Sequence, residues 1–150
     1  MKSFLVVLLF SVVSVASFGQ EITDLENYPL KSIDDYKKAE PKVVECVDYL
    51  FSTPVSKEDK NRLEANKFII LWMTGTDYTF SVDTKATELT EGNDALFTMY
   101  MAGMAKVVLE SETKLSDDVI HNKVRDMLVA YCKEESNNCK PTRKLRKWMK

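Results

Sequence analysis

Asn93-Asp94-Ala95-Leu96-Phe97-Thr98-Met99-Tyr100-Met101-Ala102-Gly103-Met104-Ala105-Lys106-Val107-Val108-Leu109 is the stretch on which the fold turns. Leu96, Phe97, Tyr100, Met101, Met104, Val107 and Val108 recur at helical spacing and make two adjacent apolar stripes. Ala102, Gly103 and Ala105 carry almost no side chain, so a second backbone can come close there. Asn93 or Asp94 supplies the cap. A helix apolar over so wide an arc must be covered from more than one side. It is therefore predicted to be the central helix of an all-α domain.

The sequence on either side agrees. Downstream, Ser116 with Asp117 and Asp118 opens a helix whose inner face is Ile120, Val124, Met127, Leu128 and Tyr131. Pro141 then opens a last short helix that docks Leu145, Trp148 and Met149. Upstream, Ser56 caps a helix that ends in Phe68-Ile69-Ile70-Leu71-Trp72-Met73, apolar all round and so expected to be buried all round, with Gly75 as its stop. Before it, Ser32 opens a short helix through Ala39. Pro41 restarts the chain into a helix carrying Val43, Val44, Val47, Leu50 and Phe51, with Cys46 beside them, which Thr53-Pro54 ends.

Two segments depart from the helical period. Asp77 to Val82 alternates polar and apolar and is expected to cross the domain as an extended segment near residues 77–83, with Tyr78, Phe80 and Val82 turned inward. Thr84 to Gly92 reads as a polar loop, and residues 20–31 as loosely held. The prediction is a single domain of four to six helices in stacked antiparallel hairpins over residues 20–150.

The chain has 150 residues, 45% hydrophobic and 29% charged, a globular balance. Four glycines and four prolines are too few for a sandwich or barrel of many short strands. The opening residues have another purpose. Lys2, an apolar run from Phe4 to Ala16 and the small residues of Ser17-Phe18-Gly19 have the pattern of a secretory signal peptide, cleaved before Gln20 or, second choice, after Ala16. The run is shorter than the roughly 20 residues of a membrane-spanning helix. The sequence thus predicts export to periplasm or medium, with residues 1–19 removed.

The formal charge of −2 offers no global field for nucleic acid. Its distribution is uneven. Lys140, Arg143, Lys144, Arg146, Lys147 and Lys150 share residues 140–150 with no acid. Residues 20–139 carry fourteen cations against twenty-three acids, a charge of −9. The six cations are candidates for contact with an anionic partner or a membrane surface. The competing role is solvation of a helix end that also closes the core.

Export permits disulfides, and there are three cysteines. Cys132 and Cys139 flank the polar stretch Lys-Glu-Glu-Ser-Asn-Asn and are the candidate pair, which leaves Cys46 as a buried thiol. Three reduced thiols are the alternative.

Residues 66–83, leading into the Met-Tyr-Met-Ala-Gly-Met-Ala-Lys-Val-Val-Leu-Glu helix and followed by Tyr131-Cys132 and the segment from Lys140 to Met149, resemble a group of small exported helical proteins from Bacteroidota-type bacteria. The likeness runs over about residues 40–150. It rests on packing motifs, so it implies fold and compartment and no activity.

Catalytic patterns are absent from the sequence. His121 is the only histidine, with Asp117 one helical turn earlier, an arrangement expected of a surface ion pair more than of an acid–base site. Met99, Met101 and Met104 have a soft-metal look, but Met99 lies about 200° around the helix from Met101, so the three are expected to pack in the core. No metal-ligand spacing, phosphate loop or placed nucleophile occurs, and no catalytic, cofactor or metal residue is assigned. The expected function is that of an exported, non-enzymatic binding or interaction protein whose partner is a protein, a peptide or an apolar small molecule. The alternatives are an envelope enzyme using clustered carboxylates or His121, and a structural or inhibitory protein for a secreted partner.

Overall fold

The computed structural model describes residue 22 and residues 24–150; the expected signal peptide lies outside the described residues. The fold is all-α. Helices α1 (Ile33–Ser52), α2 (Lys60–Gly75), α3 (Thr84–Thr90), α4 (Asp94–Leu109) and α5 (Asp117–Lys133) are followed by two 3₁₀ turns, Glu135–Asn137 and Leu145–Lys147. Helices α1 and α2 pair as one hairpin and α4 and α5 as another, and α1 stacks on α4. Among the described residues no helix is long and apolar enough to cross a membrane.

The composition of α4 explains the stacking. Its small residues Ala102 and Ala105 join the apolar cluster built by α1 and α2 around Val43, Val47, Leu50, Phe68, Ile69 and Trp72. Its large residues Leu96, Met99, Tyr100, Met104 and Val107 join a second cluster with Val124, Leu128 and Tyr131 of α5. One helix thus forms the wall between two cores. Asn93 caps it, the Oδ1 accepting from the Leu96 N–H at 3.1 Å. Gly103 faces α5, where an added Cβ would stand 3.0 Å from Val124.

Several sequence expectations need correction. Helix α1 runs unbroken through Pro41, where a short helix and a restart were expected. Proline removes one helical donor and crowds the turn before it. The carbonyl that loses its donor is that of Lys37, an exposed residue, while its neighbours accept additional bonds, Tyr36 O from Trp72 Nε1 at 2.9 Å and Lys38 O from the Tyr28 hydroxyl at 3.4 Å. Helix α2 is capped by Asp59, not Ser56, because the Asp59 carboxylate reaches the Arg62 N–H at 3.1 Å, whereas Ser56 closes a local turn to the Glu58 N–H. Residues 84–90 are helical: Asp83 accepts from the N–H groups of Lys85 and Ala86, and Ala86, Leu89 and Thr90 are buried on one face. The segment before α3 is extended and unpaired, but only Phe80 turns well inward, against both cores; Tyr78 and Val82 stay substantially exposed. The stretch expected to be loose is anchored, since Ile22 and Leu25 are buried and Tyr28 packs edge-on to Phe68 at 5.2 Å.

Gly75 ends α2 for a reason of space. An added Cβ would lie 2.1 Å from Cζ and Oη of Tyr36, so the absent side chain lets the aromatic ring of α1 lie against the backbone of α2. Polar contacts close the first hairpin and tie it to the second. Arg62, 5% exposed, donates through Nη1 to Leu50 O, Thr53 O and Thr53 Oγ1 at 2.9, 2.9 and 3.0 Å, neutralising the carbonyl end of α1. The Tyr131 hydroxyl donates to Thr53 O at 2.6 Å, and the Val55 N–H to Asn137 O at 2.9 Å.

Candidate functional site

The six cations singled out from the sequence lie on a segment that is firmly held. Cys132 and Cys139 are joined in a disulfide across the first 3₁₀ turn, with Cα atoms 5.0 Å apart. The chain then passes α3 and α4: Asn93 Nδ2 donates to Lys140 O at 2.7 Å, and Thr142 Oγ1 donates to Leu89 O at 2.7 Å. Thr142 also caps the last turn, its Oγ1 accepting from the Leu145 N–H at 3.0 Å and its carbonyl from the Arg146 N–H. Leu145 is fully buried in the second core and Met149 packs partly against it. Full burial of a leucine contributes about 2 kcal/mol.

With Leu145 and Met149 inward, Arg143, Lys144, Arg146, Lys147 and Lys150 are left outward. Lys144 pairs with Glu88 of α3. Among the described residues, Lys140, Arg143, Arg146, Lys147 and Lys150 have no ion-pair partner within the protein. Trp148 is the correction here. It was expected to dock, yet it is 52% exposed, and Arg125 of α5 lies over its ring 3.9 Å from the centroid. The Arg125 guanidinium is itself held by Asp126 and Asn122. Arg125 has no mark in the sequence, because it lies 23 positions before Trp148 and only the fold brings them together.

Beside the turn is a shallow depression lined by Glu88, Glu91, Arg143, Lys144 and Lys147. It carries both signs, so the outward face of the turn is more uniformly cationic than its flank.

His121 does not pair with Asp117. Its Nδ1 lies 2.9 Å from the Tyr100 hydroxyl, and the histidine is half-buried rather than on the surface. Burial lowers the pKa of His121; the Asp83 charge opposes that shift, and Arg125 and Lys85 add to it. Burial pushes the Tyr100 phenol up to about 12, helped by Asp83 and Asp117. Both groups are thus held neutral near pH 7. The adjoining cavity, lined by Phe80, Ser81, Tyr100, Met104, Asp117 and Ile120, holds about 10 Å³, the room of a single water. Tyr100 read as a core residue from its stripe, and its hydroxyl partner was not visible there.

Met99 and Met104 are buried in the second core, while Met101 reaches the surface. There it joins an open groove of about 340 Å³ with Ile70, Met73, Tyr78, Phe80 and Val82. The end of α2 is therefore not covered all round: Leu71 is 54% exposed and Ile70 partly so. Cys46 is buried and free, and burial pushes its thiol up to about 12, so it is inert as a nucleophile in the folded state. Among the described residues, no group of three His, Cys, Asp or Glu side chains is placed to hold a metal ion.

Fold and site together define a small all-α domain of two stacked hairpins that holds a basic turn on its surface. No protein-family model, curated protein or solved structure matches the chain.

Proposed function

We propose that this protein is an exported, non-enzymatic interaction domain whose working surface is the basic turn at residues 140–150. One observation carries the proposal. Arg143, Arg146, Lys147 and Lys150 are exposed and without internal acid partners, on a turn anchored by the buried Leu145. A set of cations needed only for solubility has no reason to be fixed so firmly. Anchoring lowers the ordering cost of binding, and the −9 net charge of residues 20–139 makes the basic turn the most cationic part of the chain. Export is supported by the leader-like residues 1–19 and by a disulfide of the kind that persists in oxidising compartments. Catalysis at His121 is disfavoured because the cavity beside it is too small for a substrate.

The test is binding to a soluble polyanion, heparin, by the protein recovered from the exported fraction. Wild type is expected to bind and to elute with rising salt. The variant Arg143→Gln, Arg146→Gln, Lys147→Gln, Lys150→Gln is expected to pass through with its circular dichroism unchanged. Equal retention of both would refute the assignment of the surface.

A further inference from the structure

We infer that the partner of the basic turn is an anionic lipid bilayer, met by Arg143, Arg146, Lys147 and Lys150 at the headgroups and by the Trp148 indole at the headgroup–acyl boundary. The inference rests on the reading of residues 140–150 as the working surface. It adds the chemistry of what that surface meets.

Three observations favour a bilayer over a compact acidic ligand. Arg146 and Lys150 project from a short turn outside the depression of about 290 Å³ that Arg143, Lys144 and Lys147 share with Glu88 and Glu91. That depression is of mixed sign, with Lys144 paired to Glu88 and Glu91 beside it, so it offers an anion a less uniformly positive site than the outward face of the turn. A lipid surface needs no cleft, because its charge is spread over a plane that a convex turn can approach. The third observation is Trp148. Arg125 covers one face of the ring, yet the indole is left 52% exposed within a basic segment, and indoles concentrate at membrane–water boundaries. Arg125, stacked 3.9 Å from its centroid, holds the ring at the same end of the molecule as the cations. The carboxylates of Asp126 and Glu88 are engaged by Arg125 and Lys144.

The two tryptophans provide an internal reporter. Trp72 is fully buried and Trp148 is not, so a blue shift of emission on binding reports Trp148 alone. The exported protein is mixed with vesicles of phosphatidylcholine alone, or of phosphatidylglycerol and phosphatidylcholine in equal parts, at low salt. Wild type is expected to partition onto the anionic vesicles, with a blue shift, and to leave them at high salt. The four-glutamine variant is expected to partition about a thousandfold less. Trp148→Phe is expected to bind more weakly and to lose the shift. Binding to heparin but not to anionic vesicles would overturn the lipid assignment and leave the basic surface standing. Binding to neither would overturn both. Vesicle binding unchanged in Trp148→Phe, with no shift in wild type, would overturn the role of the indole.

Discussion

The two hairpins are built from the same kind of helix and are secured in different ways. The first, α1 with α2, is closed by an internal polar knot: Arg62 holds the end of α1, and Gly75 admits the Tyr36 ring. The second, α4 with α5, continues into a segment fixed by a disulfide, one buried leucine and two side-chain hydrogen bonds, with its charges left outside. In the first hairpin a cation is spent on the protein's own carbonyls. In the second, the cations of residues 140–150 are mostly spent on nothing internal. The contrast separates an element that builds the frame from one that faces a partner.

The largest effect is expected from breaking the knot. Arg62→Leu leaves Leu50 O without its side-chain donor and Thr53 O with the Tyr131 hydroxyl alone, and should cost about 3 kcal/mol in urea unfolding while leaving heparin retention of the folded protein intact. The complementary change, Cys132→Ser with Cys139→Ser, should cost roughly 2 kcal/mol. Hydrogen exchange should accelerate at residues 140–150 and stay slow in α1 and α2. A thiol count on unfolded, unreduced wild type should return one, from Cys46; three would remove the disulfide from the account.

The frame was more legible in the sequence than the surface. Caps at Ser32 and Asn93 and the apolar stripes of α1, α4 and α5 stand in local order; α4 and α5 formed as read, and α1 differs in running unbroken through Pro41. What escaped was set by distant partners. Pro41 looks like a break, but its one lost donor falls at exposed Lys37, and Ala39, Val43 and Cys46 bury a continuous face against the other helices across it. Helix α3 is the exception, since its signal is local: Asp83 as cap with Ala86 and Leu89 one turn apart, set among polar residues that read as a loop. Arg62 sits in a charged run that gives no hint of burial. The six cations of residues 140–150 were plain from composition, but their fixed geometry depends on Leu145, Leu89 and Asn93, which the sequence does not connect.

Smaller effects sharpen the comparison. Gly75→Ala must displace the Tyr36 ring, whereas Gly103→Ala meets Val124 at 3.0 Å, so both should destabilise by about 1–2 kcal/mol, with Gly75→Ala the worse. The smallest expected effect is a pH slope from His121. Its folded pKa lies below its ordinary value of 6.5, so on acidification the unfolded chain takes up the proton first. Stability should be full above about pH 6.5 and fall as pH drops from there through the lowered folded value. His121→Gln should flatten that part of the curve, and a proton NMR titration of the single imidazole should give a midpoint below that of the unfolded chain.

The most direct measurement is an amide chemical-shift map recorded while the isotope-labelled protein is titrated with heparin. Shifts confined to residues 140–150 and the neighbouring Asn122 to Asp126 turn of α5 are expected. Shifts centred on Ile70, Tyr78, Val82 and Met101, or none at any residue, would contradict the assignment of the basic turn as the working surface.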